Sequence, residues 1–280
     1  MTIISDQKKV EKIVTQSGSS FYWGMKLLEK NQKRAMFSIY SFCRIVDDIA
    51  DSNLKKKEKL KELQKWIKKI DLIYKSNPVD SLSRELYFTV KKFKLEKRDF
   101  ISIIQGMKMD INEIIVYPSM KKLESYCDKV AGAVGCLAVC IFGLEGENKR
   151  KYAFALGRAF QFTNILRDLK EDSLRNRSYI PMELIKKYNL QKSKPEEILI
   201  NSKVVSLCNN MRLMTKTYYN AADKLSLKFK KKNLKGPRIM QAMYFAIFKK
   251  ICKSDWNISK KVKLSKIEKF LLILKIIIRG

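Results

Sequence analysis

Apolar positions recur along this chain with the 3.6-residue period of a helix, and strand-like alternation is absent. Leu60, Leu63, Trp66 and Ile70, for example, share one face of a segment whose other faces are dense in lysine. The pattern predicts an all-α fold in a single domain over 1–280, with a helix in 1–16 and an apolar basic tail at 267–280 on the periphery. The predicted helices cover 7–15, 21–28, 35–51, 54–74, 81–93, 97–115, 123–142, 157–172, 204–227 and 237–252.

The helix predicted over 157–172 carries a polar stripe in apolar surroundings. At about 100° per residue, Gln161, Asn164, Asp168 and Asp172 fall within an arc of roughly 80°. The phenylalanines and leucines around them predict burial, and buried carboxylates and amides need partners. Since Mg²⁺ prefers such oxygen ligands, the stripe is a candidate cation site.

A second helix, predicted over 35–51, has a similar design. Asp47 and Asp51 stand at i and i+4, so both carboxylates leave the same face one turn apart. Asp48 lies beside them, and Arg44 precedes Asp47 and Asp48 by three and four residues. One DxxxD pair is a weak signal, because many occur on solvated helix faces. Two pairs, each closing an apolar helix of a basic chain, are a stronger one.

The segment 123–142 is almost entirely small or apolar. Gly132 and Gly135 would let a helix approach a neighbour or a ligand closely, which predicts a central core helix that lines a cavity. Asp128 and Lys129 interrupt the segment and argue against a membrane-packing motif. Residues 173–201 have the least regular pattern and are predicted to form a flap beside the second acidic pair.

Composition narrows the chemistry that these residues could perform. The chain has 280 residues with 46% hydrophobic residues, 10 Gly and 5 Pro, which favours long helices around a sizeable core. It has no histidine, which excludes Ser-His-Asp and Cys-His mechanisms and His-ligated zinc. The net charge of +31 favours anionic partners: nucleic acid, an anionic membrane or phosphorylated substrates. Solvated lysine faces are the simpler explanation of the same charge.

The six cysteines include no CxxC pair. Cys136 and Cys140 share a helix face, but two thiols without further partners make a poor metal site. We predict reduced, buried thiols in a cytoplasmic protein.

No targeting or membrane-spanning segment is evident in the sequence. The N-terminal stretch lacks the apolar core of a signal peptide, and no run reaches the roughly 18 apolar residues of a spanning helix. The tail FLLILKIII at 270–278 is too short to span. Either it packs on the bundle, or it rests on an anionic leaflet at the inner face of the membrane.

The sequence resembles the squalene/phytoene synthase family of head-to-head prenyl transferases, from about Ser17 to Lys266. The resemblance rests on SSFYW at 19–23, FSIYSFCR at 37–44, DDIAD at 47–51, YCDKVAGAVG at 126–135 and QFTNILRDLKED at 161–172. It is greatest to the bacterial members that make presqualene diphosphate on the hopanoid and squalene route. That likeness is carried by GMKMD at 106–110, RSYIPMEL at 177–184 and WNISKKVKLSK at 256–266.

The resemblance implies an isoprenoid synthase-like bundle of antiparallel helices around a deep apolar cavity. It implies that Asp47 and Asp51 hold Mg²⁺, or Mn²⁺ in its place, for one farnesyl diphosphate, and that Asp168 and Asp172 do so for the other. Asn164 would complete the metal ligands. The implied product is presqualene diphosphate, which a downstream isoprenoid enzyme would use, and no NADPH is expected.

The resemblance also implies roles for residues around the two pairs. Tyr40 and Tyr126 would border the reacting carbons, and Arg44 would pair with diphosphate or steady the aspartates. Core packing, for the tyrosines, and a surface ion pair, for the arginine, are the alternatives. The implied substrate-binding residues are Ser19, Ser20, Phe21, Gln161, Asn164, Arg167 and Tyr244.

One departure from the family pattern concerns the C-terminal part. Where many relatives have arginines, this chain has Lys260, Lys261 and Lys263. Lysine keeps the charge but loses the bidentate geometry for phosphate, which puts diphosphate contacts there in doubt.

The sequence leaves two alternatives to this function. One is another reaction of the family that forms phytoene, dehydrosqualene or squalene. The other is a non-enzymatic basic helical protein that binds nucleic acid or anionic lipid, which explains the charge but not the two aspartate pairs. We expect no nucleic-acid partner.

Overall fold

The computed structural model describes residues 3–17, 21–254, 256 and 261–279. This part of the chain is helical and contains no strand, which confirms the predicted fold class. Fourteen α-helices follow one another in it, with a π-helical turn at Asp128–Gly132 and a 3₁₀ turn at Lys231–Leu234. They are α1 Ile3–Gln16, α2 Phe21–Lys26, α3 Lys30–Asp51, α4 Lys56–Tyr74, α5 Ser81–Phe93, α6 Lys97–Asn112, α7 Met120–Cys127, α8 Ala133–Ile141, α9 Asn148–Leu174, α10 Met182–Lys187, α11 Pro195–Ile200, α12 Val204–Ser226, α13 Lys235–Lys253 and α14 Lys266–Arg279.

Local sequence signals explain several helix ends. Asp80 begins α5 because its carboxylate accepts a hydrogen bond from the backbone N–H of Ser83 at 2.8 Å. Lys94 ends the same helix in the left-handed conformation. At α7, the Ser119 hydroxyl accepts from the backbone N–H of Lys122. These side chains satisfy helix-end groups that would otherwise lack partners.

The helices pack around α3 and α9, which carry the two acidic pairs. α9 lies against α7, α8, α12 and α13, while α3 lies against α1, α5, α6 and α8. Two buried apolar clusters fill the interior, and Val130 and Phe160 contact both. Apolar packing therefore fixes the positions of α3 and α9, the two helices that carry the acidic pairs.

Bidentate arginine–carboxylate pairs connect the helices at the edges of this core. Arg34 pairs with Glu85 at 2.6 Å and joins α3 to α5. Arg150 pairs with Asp99 at 2.8 Å and joins α9 to α6. Such pairs with a nearly buried acid satisfy it, so removing one partner would leave a buried charge alone.

The close helix approach predicted for the small-residue segment is confirmed. A Cβ on Gly132 would lie 2.3 Å from Phe154 of α9, and one on Gly135 would lie 2.9 Å from the Ala153 carbonyl oxygen. Since neither space exists, only glycine permits this approach. The segment is α7, the π turn and α8 rather than one uniform helix.

The predicted irregularity of 173–201 is only partly right. The segment contains α10 and α11, and its first part is bound to the 115–118 loop. The backbone of Ser178 donates to Ile115 and accepts from Tyr117, at 2.8 and 3.0 Å. Its role as a flap stays a prediction.

The tail helix α14 packs on α13, with Ile273 buried. Among the helices described, none combines the length and the apolar character that crossing a bilayer requires.

Candidate active site

An apolar cavity of about 240 Å³ lies between α2, α3, α8, α9 and α13. Its polar lining is confined to Gln161, Asn164 and the tyrosines Tyr40 and Tyr244. Such a cavity suits a hydrocarbon chain with a polar end. The apolar wall includes Phe21, Met25, Met36, Ile39, Val134, Ala138, Phe142, Leu156, Phe160 and Met240.

Stacked aromatic rings form one side of this cavity. The Tyr244 ring lies 4.9 Å from the ring of Phe21 and 4.3 Å from that of Phe160, centroid to centroid. These rings exclude water, and their faces are attractive to a positive centre. Phe21 and Tyr244, both predicted as substrate-binding residues, therefore meet at one wall.

The first acidic pair, Asp47 and Asp51, lies at the end of α3. Asp47 lines a smaller cavity together with Arg44 and Tyr126, and Tyr40 and Gln161 belong to the walls of both cavities. The side chain of Asp47 is 52% exposed at the mouth that this smaller cavity forms. Partial desolvation there and the charge of Asp51 raise the pKa of Asp47 to about 6. The guanidinium of Arg44 opposes this rise, but it forms its short contact, 2.6 Å, with Asp48 and lies 4.0 Å from Asp47.

The second pair, Asp168 and Asp172, lies near the end of α9, and its members differ in environment. Arg167 donates two hydrogen bonds to Asp168, at 2.9 and 2.5 Å, and the Lys261 ammonium lies 3.1 Å away. Burial acts to raise the pKa of Asp168, but these contacts outweigh it and lower the pKa. Burial and the charge of Asp168 raise the pKa of Asp172 to about 7.

Two arginines that follow α9 connect the pairs. Arg175 and Arg177 reach Asp51 at 2.7 and 3.3 Å. The charges of both arginines also act to lower the pKa of Asp172, so they lie between the two acidic helices. The two DxxxD pairs thus share one mouth. We did not predict this role for Arg175 and Arg177. Their position directly after the second DxxxD motif is the sequence signal that could have indicated it.

A half-buried carboxylate, Asp110 of α6, organises the tyrosines at the inner edge of this mouth. Tyr126 and Tyr179 donate to its two oxygens at 2.9 and 3.0 Å, and their rings stack at 5.2 Å. Burial raises the pKa of Asp110, against those hydrogen bonds and the charge of Arg177. Tyr126 lines the smaller cavity, and its predicted place beside the reacting carbons stays a prediction. Asp110 and Tyr179 were missed as site residues, although both stand in motifs that carry the family resemblance.

The remaining predicted residues fall as follows. The Tyr40 hydroxyl donates to the Ser17 hydroxyl at 2.9 Å, just before the predicted substrate-binding residues at 19–21. Ser19 and Ser20 lie outside the described residues, as does Lys260. Lys261, whose contact with diphosphate was in doubt, lies at the second acidic pair.

The donor set fits a hard cation. Among the described residues, no three carboxylates or thiols lie close enough to hold one ion together. Asn164, one turn before Asp168, has a buried side-chain oxygen that no described residue meets with a hydrogen bond. Desolvation and, after it, the charge of the neighbouring aspartate raise the pKa values of Asp47 and Asp172. A bound Mg²⁺ would satisfy the oxygen and the carboxylates together.

The cysteines take no part in this site as nucleophiles. All six are free thiols, and burial raises the pKa of each of them. The predicted burial holds for Cys127, Cys136 and Cys208, whereas Cys43, Cys140 and Cys252 are only half-buried. Since the thiolate is the reactive form, the raised pKa values disfavour a nucleophilic role for any of them.

Comparison with known proteins places this site in a family. The squalene/phytoene synthase model matches residues 14–268, most of the chain. The chain belongs to this family. A presqualene diphosphate synthase from Rhodopseudomonas palustris is 38% identical over 259 residues, 92% of this chain and 92% of that one. One from Sinorhizobium fredii is 38% identical over 233 residues, 83% of each.

A squalene/phytoene synthase fold is also what the solved structures show. The crystal structure of a dehydrosqualene synthase in complex with a ligand matches with a TM-score of 0.87 at 22% identity, and it covers 99% of this chain and 97% of that one. The predicted family and the isoprenoid synthase-like bundle are therefore confirmed. The chain is a prenyltransferase, of a family that condenses prenyl chains head to head.

Proposed function

We propose that this prenyltransferase joins two molecules of farnesyl diphosphate to give presqualene diphosphate, diphosphate and a proton. The supporting observation is an apolar cavity with Asn164 in its wall, one turn before Asp168 on α9, next to a smaller cavity that Asp47 of the first pair lines. The names of its relatives at 38% identity favour this product over the other products of the family.

In the proposed site, two sets of residues would hold Mg²⁺. Asp47 and Asp51 form one set, and Asn164, Asp168 and Asp172 form the other. When bound, Mg²⁺, or Mn²⁺ in its place, neutralises the charge that builds on a leaving diphosphate. Tight coordination needs deprotonated carboxylates, so the raised pKa values of Asp47 and Asp172 would fall on binding.

The cationic side chains around the mouth would bind the diphosphates and stabilise the developing charge. Arg167 and Lys261 stand at the second pair, while Arg175 and Arg177 stand between the pairs. Arg44 is half-exposed beside Asp47, where it can turn from Asp48 to a phosphate. Lysine at 261 supplies one point charge rather than a bidentate contact.

The cavity wall would protect the allylic cation left when the C–O bond of one farnesyl diphosphate breaks. Carbon 1 of that cation bonds across the 2,3-double bond of the second molecule, and loss of a proton closes the cyclopropane ring. The rings of Phe21, Phe160 and Tyr244 exclude water and offer their faces to the cation. Tyr40 and Tyr126 would guide proton loss at the inner edge of the mouth.

Product analysis tests this proposal. Purified protein is incubated with farnesyl diphosphate and Mg²⁺, with and without NADPH, and the products are identified by mass spectrometry. Presqualene diphosphate in both incubations is the expected result. Farnesol alone would overturn the proposal. Squalene only with NADPH, or turnover only with geranylgeranyl diphosphate, would assign the enzyme to another reaction of the family.

The proposal includes a setting for the reaction. We propose a cytoplasmic enzyme that touches the inner face of the membrane peripherally and passes presqualene diphosphate to a downstream isoprenoid enzyme. The high positive charge supports contact with anionic lipid, and membership of an enzyme family argues against a nucleic-acid-binding role.

A further inference from the structure

Helix α14 presents an apolar stripe away from the bundle. Ile267, Phe270, Leu271 and Leu274 stand at i, i+3, i+4 and i+7 and share one face. All four are exposed, Phe270 by 64% and Leu271 by 56%. The neighbouring position Ile273 is buried, so the helix has an inner apolar contact and an outer apolar face. An exposed stripe of this size on a charged protein marks an interaction surface.

Helix α2 extends this apolar surface. Trp23 and Leu27, both exposed, line a groove together with Phe270 and Leu274 of α14. On the opposite side of α2, Phe21 and Met25 line the apolar cavity. A helix of six residues is therefore all that separates the cavity from the outer groove at this point.

Cationic side chains surround the surface on both sides of α14. Lys26, Lys266 and Lys269 border the groove between α2 and α14. A second groove, between α13 and α14, has an apolar floor that includes Phe245 and Leu272. Its cations are Lys231, Lys232, Lys235, Arg238, Lys249 and Lys275. In the described part of the chain none of these nine cations forms an ion pair: Glu29, which also lines the second groove, pairs with none of them, and Glu268 of α14 is bound by Lys250.

We propose that this surface, the α2–α13–α14 face, docks on an anionic lipid bilayer. An apolar stripe bordered by unpaired lysines is the pattern of an interfacial helix: the apolar side chains enter the acyl boundary and the ammonium groups reach the lipid phosphates. A second copy of the chain fits poorly, because its own unpaired cations would face these. The proposal rests on the proposed function in one respect. A C30 lipid product would give the enzyme a use for a bilayer, and the face lies beside the α2 wall of the cavity.

Vesicle binding tests the face directly and needs no substrate. The protein is sedimented with phosphatidylcholine vesicles that either contain or lack phosphatidylglycerol, at rising sodium chloride. We expect binding only with phosphatidylglycerol, weakening with salt. Vesicles with brominated acyl chains should also quench Trp23 fluorescence, whereas Trp66 and Trp256 are buried. The quenching should be lost in Trp23→Phe.

Matched variants separate the face from general basicity. Phe270→Ser with Leu271→Ser should lower vesicle partitioning by roughly tenfold or more, because two apolar side chains that would enter the bilayer are lost. Ile200→Ser with Leu213→Ser removes apolar side chains of similar or greater exposure, 87% and 57%, outside the face and should leave partitioning unchanged. Lys266→Gln with Lys269→Gln should weaken partitioning by roughly tenfold, whereas Lys57→Gln with Lys61→Gln on α4 should not.

Equal partitioning of the face variants and their controls, or no binding to phosphatidylglycerol at low salt, would overturn the proposal. All variants are compared at equal helicity by circular dichroism, and the lysine pair keeps the test decisive if the apolar pair unfolds. Synthase activity on detergent-dispersed farnesyl diphosphate should be unchanged in the face variants. Vesicle binding without any C30 product would contradict the proposed function and leave the docking face intact.

Discussion

At the scale of single residues, the carboxylates with raised pKa values make metal binding depend on pH. The pKa of Asp47 is about 6 and that of Asp172 about 7, both above the ordinary 3.8. In the metal-free protein these groups therefore favour folding at acid pH, fully below about pH 4, and that contribution is lost as the pH rises through 6 and 7. Mg²⁺ has the opposite dependence, since it binds the ionised form.

We therefore predict that the thermal shift produced by Mg²⁺ is small at pH 5.5 and grows up to pH 8. Below pH 7 the affinity at the second pair should fall by about tenfold per pH unit, because one proton is displaced. Asp172→Asn should abolish most of the shift and yet stabilise the metal-free protein above pH 7. Asp48→Asn is the control. Asp48 lies beside the first pair on α3, but its carboxylate is bound by Arg44. A shift independent of pH would contradict the assignment of these carboxylates.

Tyr126 and Tyr152 form a matched pair for the second residue-scale prediction. Tyr126 donates to Asp110 at the mouth, whereas the buried hydroxyl of Tyr152 has no partner in the described structure. Tyr126→Phe should cost about 1 kcal/mol of stability in urea unfolding and lower kcat by roughly tenfold to a hundredfold. Tyr152→Phe should leave kcat unchanged and stability equal or higher. If kcat of Tyr126→Phe stays at the wild-type value, Tyr126 is a core residue only.

At the scale of elements, the crossing of the π turn and α9 sets the position of the second acidic pair. A Cβ on Gly157 would lie 2.7 Å from the backbone nitrogen of Gly132 and 2.8 Å from the Ala131 carbonyl carbon. Backbone atoms cannot move aside as a flexible side chain can, so α9 itself must shift. Ala131 and Gly157 both line the cavity, and a shift there would change its shape.

We predict that Gly157→Ala destabilises the protein by about 1–3 kcal/mol, even though alanine favours a helix. It should also lower kcat, because Asp168 and Asp172 move with α9. Gly24→Ala on α2 is the milder control, since its nearest contact is 3.2 Å from the Ile239 side chain, which can adjust. Unfolding in urea and steady-state kinetics measure the two effects. Equal tolerance of both substitutions would show that the crossing is looser than its distances indicate.

At the scale of the whole molecule, the features that could be predicted from the sequence are those that leave a periodic pattern or a motif along the chain. The helices and the two DxxxD pairs follow from apolar spacing and from motif residues on single helices, and the family resemblance implied the apolar cavity. Contacts between distant segments leave no such pattern. Arg177 and Asp51 are far apart in sequence, and Asp110 joins Tyr126 to Tyr179 only through the fold. The outer apolar face of α14 was equally ambiguous, because a stripe alone does not say which side meets the bundle.

The last prediction concerns coupling between the two acidic pairs. α3 carries one acidic pair and α9 the other, and Arg175 and Arg177 bridge them at Asp51. Mg²⁺ would compensate the negative charge of the aspartates, and a diphosphate would compensate the positive charge of the arginines and of the ion. Each should therefore strengthen the binding of the other. We predict that Mg²⁺ and unreactive farnesyl thiodiphosphate together stabilise the protein by at least about 1 kcal/mol more than the sum of their separate effects. Differential scanning calorimetry measures this.

The coupling should be lost in Asp51→Asn and in Asp172→Asn, which leave one set of ligands incomplete. It should persist in Glu62→Gln, because Glu62 is a residue of α4 that pairs with Lys65 on the surface. Strict additivity in the wild type would mean that the two pairs act as independent sites. In that case the bridging arginines would serve to balance charge in the free protein, and the two diphosphates would bind without mutual assistance.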